Sequence, residues 1–379
     1  MQENLGRIVK SVFDIDWILL LSALPLVFAG LATMNSFVGQ NYFFDNQLIW
    51  LAASIVVFFG VSLLDLRFLR RTGVITGIFL FSVLLLLSLF ILGRTFKGAR
   101  SWFDFGIFAF QPSDPIKLAV ILVLAKYFSR RHIEIANFRH ILVSGLYAFT
   151  LFLLIFLQPD FGSAVIVALI WLGMVLVSGI SKKHLLLLFF LAVAAFSSLW
   201  FFVFQDYQKE RITTFLYPYA DISGAGYSAY QSVVAIGSGE LLGKGVGYGT
   251  QSRLEFLPEY ETDFIFAAFA EEWGFLGVVV LFTLFSAVIW RIVKNAMRGA
   301  TNFEVFFGFG LAALFISHFL VHVGMNLGLL PITGTTMPFL SYGGSHLLTE
   351  FLGLGMLMAM RRYAEPVEKS AYQNELVGV

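Results

Sequence analysis

Ten long stretches of mostly apolar residues run through this chain and limit its fold more than any other feature. They lie near 17–37, 47–64, 74–93, 115–128, 141–157, 162–179, 184–204, 263–290, 304–330 and 345–360. A helix needs about 20 such residues to cross the hydrocarbon core, where every backbone N–H and C=O must be satisfied within the segment. The pattern predicts an all-α, polytopic integral membrane protein of about ten transmembrane helices. The fourth stretch is the shortest and opens on Pro115. The chain is 58% hydrophobic and 13% charged, far from the roughly 25% charged residues of soluble domains. A net charge of +1 leaves no bulk electrostatic footprint for nucleic acid. Without cysteine, disulfides, thiolate catalysis and Cys-ligated metals are excluded. The first stretch exceeds a signal-peptide core and has no clear cleavage pattern, so it is read as a retained span.

Lys and Arg are retained on the cytoplasmic side of a membrane protein. Arg7 and Lys10 precede the first span; Arg67, Arg70 and Arg71 follow the second, and Arg130, Arg131 and Arg139 the fourth. Lys182 and Lys183 follow the sixth, Arg291, Lys294 and Arg298 the eighth, and Arg361 and Arg362 the tenth. All share one side if both termini are cytoplasmic. The expected layout is a single membrane domain over 1–379, with a large outer loop at about 205–262 between the seventh and eighth spans. A short cytoplasmic tail is expected at about 361–379. Two outer connections break the charge rule. Arg94, Lys97 and Arg100 crowd GRTFKGARSWFDFG, and the long loop adds Lys209, Arg211, Lys244 and Arg253. Either these are stray charges that orientation tolerates, or they hold an anion by charge-assisted hydrogen bonds.

Ionisable residues inside spans mark functional sites by default. Asp114 and Lys117, three apart, face each other across one helical turn as an internal ion pair or as part of a site. Asp160 is placed as an N-cap of the sixth span, and Asp263 opens the eighth helix at the outer boundary. Glu271 and Glu272 follow two turns later. One is expected to share a cavity with Asp263 while the other faces a neighbouring helix, both in structural pairing. His318 and His322 share a face but lack an HExxH pattern, so they read as buried hydrogen-bonding histidines, with Glu350 a candidate partner. The glycines of 224–249 permit tight turns and close approach to a ligand, and YQSVVAIGS is suited to the membrane interface. SYGGSH, from Ser341 to His346, is either a plain turn or a set of N–H groups for an anion at a helix N-terminus. These groups converge on the outer leaflet, within reach of a lipid-linked substrate whose anionic head would meet Arg94, Lys97, Arg100 and Arg211.

Four stretches, in order, are more specific: KGARSWFDFGIFAFQPSDPIKLA, LQPDFGSA, the run from YSAYQSVVAIGSGELLGKGVGYG through TQSRLEFLPEYETDFIFAAFAEEWGFLG, and GTTMPFLSYGGS. Together they resemble the signature stretches of the SEDS family, the RodA, FtsW and SpoVE proteins of bacterial wall synthesis. GTQSRLEFLPE is more similar to RodA than to FtsW. The resemblance implies ten spans, cytoplasmic termini, a place in the bacterial inner membrane, and peptidoglycan glycosyltransferase activity on lipid II during wall elongation. The family's essential loop aspartate falls on Asp263. Its QPSE-x-x-K pair falls on Asp114 and Lys117, the acid one methylene shorter and followed by Pro115. Glu261 stands where the family has a histidine, and SYGGSS reads SYGGSH.

On that reading Asp263 is the catalytic base of an inverting displacement at the outer leaflet. Arg94, Lys97, Arg100, Arg211 and Lys117 are the candidate cations for diphosphate or lipid II. Asp114, Asp160, Glu271, Glu272 and Ser341 support the site. A Mg2+ or Mn2+ ion bridging Asp263 to phosphate is compatible with it; no metal ligands are assigned and no organic cofactor is expected. The implied partners are lipid II, an undecaprenyl-diphosphate-linked glycan, the surrounding membrane lipids and a class B penicillin-binding protein that crosslinks. A lipid II flippase, with the same charges lining a path, or a non-catalytic scaffold are the other classes the sequence leaves open.

Overall fold

The computed structural model describes residues 15–36, 42–96, 99–106, 109–131, 138–217, 224, 226–254 and 256–362. Arg7, Lys10, Lys97, the side chain of Arg211 and the tail from 363 onward lie outside the described residues. Long helices occupy the ten predicted stretches: α1 (Trp17–Asn35), α2 (Tyr42–Leu63), α3 (Thr72–Leu92), α4 (Ser113–Arg131), α5 (Phe138–Phe156), α6 (Phe161–Val177) and α7 (Lys182–Phe202). Between α7 and the rest come three short outer-loop helices, α8 (Asp206–Leu216), α9 (Tyr227–Ser238) and α10 (Thr250–Arg253). The last long helices are α11 (Ile265–Ala296), α12 (Asn302–Asn326) and α13 (Gly344–Arg361). Seven of the ten, α1, α2, α3, α5, α7, α11 and α12, are long and apolar enough to cross a membrane, and α6 is apolar but shorter. The cationic segment forms a small antiparallel sheet, β1 (Arg94–Phe96), β2 (Ala99–Asp104) and β3 (Ala109–Phe110).

The helix ends sort into two groups by their hydrogen bonds. At one end, Asp16, the N-cap of α1, accepts from Arg291 and Asn295 near the end of α11. Arg362, closing α13, donates to Leu63 O at the end of α2. Arg70 pairs with Glu304 at the start of α12, and Lys126, late in α4, donates to Arg70 O. Tyr127 meets His140 at the start of α5, and the Phe138 ring lies tilted against His184, 5.5 Å away, at the start of α7. This basic end therefore gathers the alternate turns expected from an up-and-down bundle. Burial works against ionisation of Asp16, yet hydrogen bonds from Asn295 and Arg291 outweigh it and lower its pKa.

α4, α12 and α13 form the buried centre, which explains how α4 keeps an ion pair that lipid would reject. None of the apolar window of α7 is buried, so it lies at the periphery. α9 turns Ser232 and Ala235 inward and packs on α11. The predicted interfacial stretch is thus docked onto the bundle through one face.

The eighth span departs from expectation. α11 is not continuous: Gly274 adopts φ 65° and ψ −168°, breaking the helix. A helix would use Phe275 N–H and Leu276 N–H on the carbonyls of Glu271 and Glu272. Those donors instead reach Glu240 O (2.9 Å) and Leu241 O (3.1 Å), while Lys244 N and Gly245 N fill Glu271 O and Glu272 O, each at 3.0 Å. The glycine-rich loop thus satisfies all four backbone groups that the break releases. The portion after the break, Phe275 to Ala296, is alone long enough to span.

Candidate active site

The turn carrying Asp263 is built by backbone geometry. Glu259 takes φ 51°, and its carbonyl accepts N–H groups from Thr262 (3.1 Å), Asp263 (3.0 Å) and Phe264 (3.1 Å). Phe264 then caps α11, so Asp263 sits just ahead of a helix N-terminus, where partial positive charge favours an anion. Two side chains grip this turn from opposite sides. Ser341 Oγ donates to Thr262 O at 2.8 Å, and Asn326 Nδ2 donates to Asp263 O at 3.0 Å. Asn326 Oδ1 also accepts from Ala267 N at 3.2 Å, tying the end of α12 to the first turn of α11. Tyr342 N donates to Glu261 O at 2.9 Å. The carboxylate lies half-buried beside the 331–337 loop: a Cβ added to Gly334 would stand 3.5 Å from Asp263 Oδ2.

That loop is held from below. His322 Nδ1 lies 2.7 Å from Thr335 O and His318 Nδ1 3.1 Å from Thr336 O. A carbonyl only accepts, so both rings donate from Nδ1. The loop also rests on the first turn of α6, where a Cβ at Gly162 would fall 2.6 Å from Thr333 O. Asp160 caps that turn through Ser163 N and accepts from Gln111 and Ser113, which fixes the start of α4. Gln47 holds the SYGG turn by donating to Ser341 O and accepting from Gly343 N, each at 3.2 Å. Burial, with Tyr42 and Glu261 nearby, pushes the Tyr342 phenol up to about 12, so it stays protonated at neutral pH.

Glu271 and Glu272 are both in structural pairing, as expected, but neither makes the approach to Asp263 expected of one of them. Glu271 Oε1 accepts from Lys244 Nζ (2.7 Å), Thr250 N (2.8 Å), Thr250 Oγ1 (3.1 Å) and Gln251 N (3.1 Å). Glu272 Oε1 accepts from Ser36 Oγ, at the end of α1, and from Gly247 N (2.9 Å). The break at Gly274 lets the glycine loop fold over both side chains. Two of the loop glycines approach α11 closely: a Cβ at Gly239 would fall 2.1 Å from Ala270 O, and one at Gly243 2.1 Å from Glu272 O.

Among the described residues, the candidate cations are not gathered into one cradle. Arg94 pairs with Asp104 at 2.6 Å and stays 74% exposed. Arg100 donates through Nε to Gly93 O (2.9 Å) and through Nη2 to Ile91 O (3.4 Å), capping the end of α3. Lys117 is 3% exposed and bonded to Asp114. Its assignment to substrate is corrected on that ground: an ammonium sealed inside the bundle is out of reach of a diphosphate. Glu350, expected beside His318 or His322, instead accepts from Phe339 N and lies against His346.

Asn326, Gln47 and Gly334 were not singled out in the sequence. Asn326 and Gln47 are amides at the edges of apolar runs, a weak signal, and Gly334 is one glycine of a loop. Among the described residues no group of three His, Asp or Glu side chains is placed to hold a metal ion. Asp263 offers one carboxylate, which suits an ion brought in by substrate phosphates and completed by water.

A family model covering FtsW, RodA and SpoVE, described as a cell cycle protein, matches residues 12–365. The peptidoglycan glycosyltransferase MrdB of Escherichia coli K12 is 38% identical over 293 residues, 77% of this chain and 79% of that protein. Stage V sporulation protein E of Bacillus subtilis is 33% identical over 353 residues, 92% and 96% of the two chains. Among solved structures, a chain of a peptidoglycan synthase complex that coordinates polymerization and crosslinking superposes with a TM-score of 0.80 at 30% identity, covering 93% of this chain and 98% of that one. The Thermus thermophilus rod shape determining protein RodA gives 0.69 at 27% identity, covering 92% and 97%.

Proposed function

The chain belongs to the FtsW/RodA/SpoVE family, and from that premise we infer that it is a peptidoglycan glycosyltransferase of cell-wall elongation, with Asp263 as its general base. The observation that carries the assignment of the base is the clamped turn. A half-buried carboxylate stands at the mouth of α11, its backbone gripped by Ser341 through Thr262 and by Asn326. The basic end faces the cytoplasm by the distribution of Lys and Arg, which puts Asp263 at the outer leaflet and both termini inside.

The acceptor is lipid II and the donor a glycan on undecaprenyl diphosphate. The acceptor's 4-hydroxyl gives its proton to Asp263 as its oxygen bonds to the donor's anomeric carbon. The bond from that carbon to the diphosphate oxygen breaks in the same step, and undecaprenyl diphosphate leaves with the electron pair. An α-linked donor becomes a β linkage, so one inverting displacement suffices. Arg94 is the described cation best able to meet the leaving group, because an exposed ion pair such as its contact with Asp104 costs at most about 1 kcal/mol to open. A Mg2+ or Mn2+ ion accompanying the diphosphate would add Lewis-acid stabilisation with Asp263 as one ligand. The chain has no crosslinking domain among its described residues, which supports a separate transpeptidase of the class B penicillin-binding type as its partner.

Purified wild type and Asp263→Asn are compared for glycan polymerised from lipid II and for lipid II binding. Loss of a general base lowers the rate by about 10²–10⁴-fold, with binding retained. Unchanged polymer from the Asn variant removes Asp263 from the chemistry. A wild type that moves lipid II across vesicles without polymerising it returns the flippase reading.

A further inference from the structure

Asp114, Lys117, His346 and Glu350 form a buried cluster between α4 and α13, around a small cavity that Thr349 and His318 also line. Proton transfer at Asp263 does not itself call for it. Its geometry is asymmetric in an informative way. Lys117 Nζ lies 3.0 Å from Asp114 Oδ1, and Ser345 Oγ donates to Asp114 Oδ2 at 2.8 Å. The His346 ring stands between two carboxylates, Nδ1 3.5 Å from Asp114 Oδ1 and Nε2 3.0 Å from Glu350 Oε1. The second contact, at 3.0 Å, is within ion-pair distance without forming a hydrogen bond. Among the described residues, the titratable groups facing His346 are Asp114 and Lys117 on α4, His318 and His322 on α12, and Glu350 on α13.

A neutral imidazole has one N–H and one lone pair. With a carboxylate at each nitrogen, the neutral ring would turn a lone pair toward an anion. With both nitrogens protonated, two positive and two negative charges close to zero inside the bundle. Removing one positive charge leaves an uncompensated buried carboxylate, the costly case for a buried ion cluster.

We propose that His346 is a positioning residue that works as an imidazolium, locking α4 to α13 and through Glu350 setting the turn that grips Asp263. The contacts run without a gap. Glu350 accepts from Phe339 N at 3.2 and 3.1 Å. Phe339 holds φ 64°, a conformation a bulky residue rarely adopts, so this backbone needs an external hold. Two residues later Ser341 Oγ grips Thr262 O. Loss of the imidazolium proton frees Glu350 from its cation, loosens Phe339, and lets the Ser341 contact slip. The activity readout rests on the glycosyltransferase reading; the structural readout does not.

The test uses full-length wild type, His346→Gln, Glu350→Gln and the double variant, each melted and assayed on lipid II from about pH 6 to about pH 10, a range that brackets histidine titration. Gln at 350 keeps an oxygen for Phe339 N. His346→Gln is expected to lose about tenfold in kcat, the scale of a coupling through packed contacts, with KM for lipid II little changed. The double variant, neutral again through Asp114 and Lys117, recovers most of that loss. Wild-type melting temperature and kcat fall together at alkaline pH, and the double variant shows no such fall. His346→Gln with wild-type kcat and pH profile, or a double variant no better than the single, overturns the proposal. If wild type makes no polymer, the glycosyltransferase reading fails, while the four melting curves still decide this one: equal alkaline slopes overturn it. Should the variants fail to purify, histidine side-chain 15N shifts of wild type decide, since a neutral His346 ring at pH 7 is incompatible with it.

Discussion

Gly274→Ala tests whether the broken helix is required. At φ 65° and ψ −168° the backbone lies in a region essentially restricted to glycine, with a cost of about 1–3 kcal/mol for another residue. Space adds to the problem. A Cβ there would stand 2.2 Å from Gly243 N, 2.7 Å from Leu242 C and 2.8 Å from Leu241 O. All three are backbone atoms, which cannot swing aside as a side chain would. The loop must retreat, and with it go the four hydrogen bonds that replace the helix's own across the break. At about 0.5–1.5 kcal/mol each, net, they amount to about 2–6 kcal/mol. Straightening α11 would recover two of these bonds within the helix but strand the loop's four groups and the donors now on Glu271.

Destabilisation of about 3 kcal/mol or more is therefore expected, since strain alone supplies part of it. It reads out as a clearly lowered melting temperature in detergent and as new protease cleavage within 239–253. Polymerisation falls with it, because the first turns of α11 carry Asp263 at their head. Gly237→Ala is the control. That residue lies in α9 with nothing within 4 Å of an added Cβ, and alanine is the better helix former by about 1 kcal/mol, so melting stays level or rises. A Gly274→Ala protein that melts with wild type, resists protease in the loop and polymerises normally would refute the account of the break.

Ser341→Ala leaves the buried Met337 N–H without its acceptor and frees Thr262 O. It should cost about 1–3 kcal/mol and lower kcat more than lipid II binding. Asn326→Leu strands Asp263 O and Ala267 N together, so its melting temperature should drop further than that of Ser341→Ala. Asp16→Asn breaks a buried pair with Arg291 and should cost about 3–5 kcal/mol. Because the folded pKa of Asp16 is lowered, its contribution is present above the unfolded value of about 3.9 and is lost as pH falls through the folded value. A wild-type acid limb of stability that Asp16→Asn lacks is the check. Arg94→Ala should leave melting within about 1 kcal/mol of wild type while raising KM for lipid II; an unchanged KM withdraws Arg94 from the leaving-group role.

The helical layout was the most legible part of the chain. Apolar length suffices for it, since lipid allows only helices whose backbone groups are satisfied within the segment. Asp160 was readable because an N-cap is local, its acceptor three residues from its donor. The break at Gly274 was not. A lone glycine in a helical pattern is ordinarily tolerated, and its partner groups, at 240–245, lie some 30 residues earlier in the chain. Arg100 looked like an anion ligand because its carbonyl partners at Ile91 and Gly93 carry no sequence signal. His346 and Asp114 are 232 positions apart, and a pairing at that distance follows from how α4 meets α13, not from any spacing.

The contacts that hold the turn of Asp263 differ in kind from those made by the other carboxylates at its end of the bundle. A carboxylate has about four lone-pair positions. Four or more donors crowd Glu271, including an ammonium and two backbone N–H groups. Asp160 accepts from Gln111, Ser113 and Ser163, and Asp114 from Lys117 and Ser345 beside His346. Each is committed to holding two elements together, so taking a proton from a substrate would release a structural contact. At Asp263 the contacts that hold the turn fall on the backbone instead: its own N–H to Glu259, its carbonyl to Asn326, and the preceding carbonyl to Ser341. These backbone contacts do not depend on whether the side chain carries a proton. That division, with the frame gripping peptide groups and the side chain turned to the loop at Gly334, is what a base used once per sugar added requires.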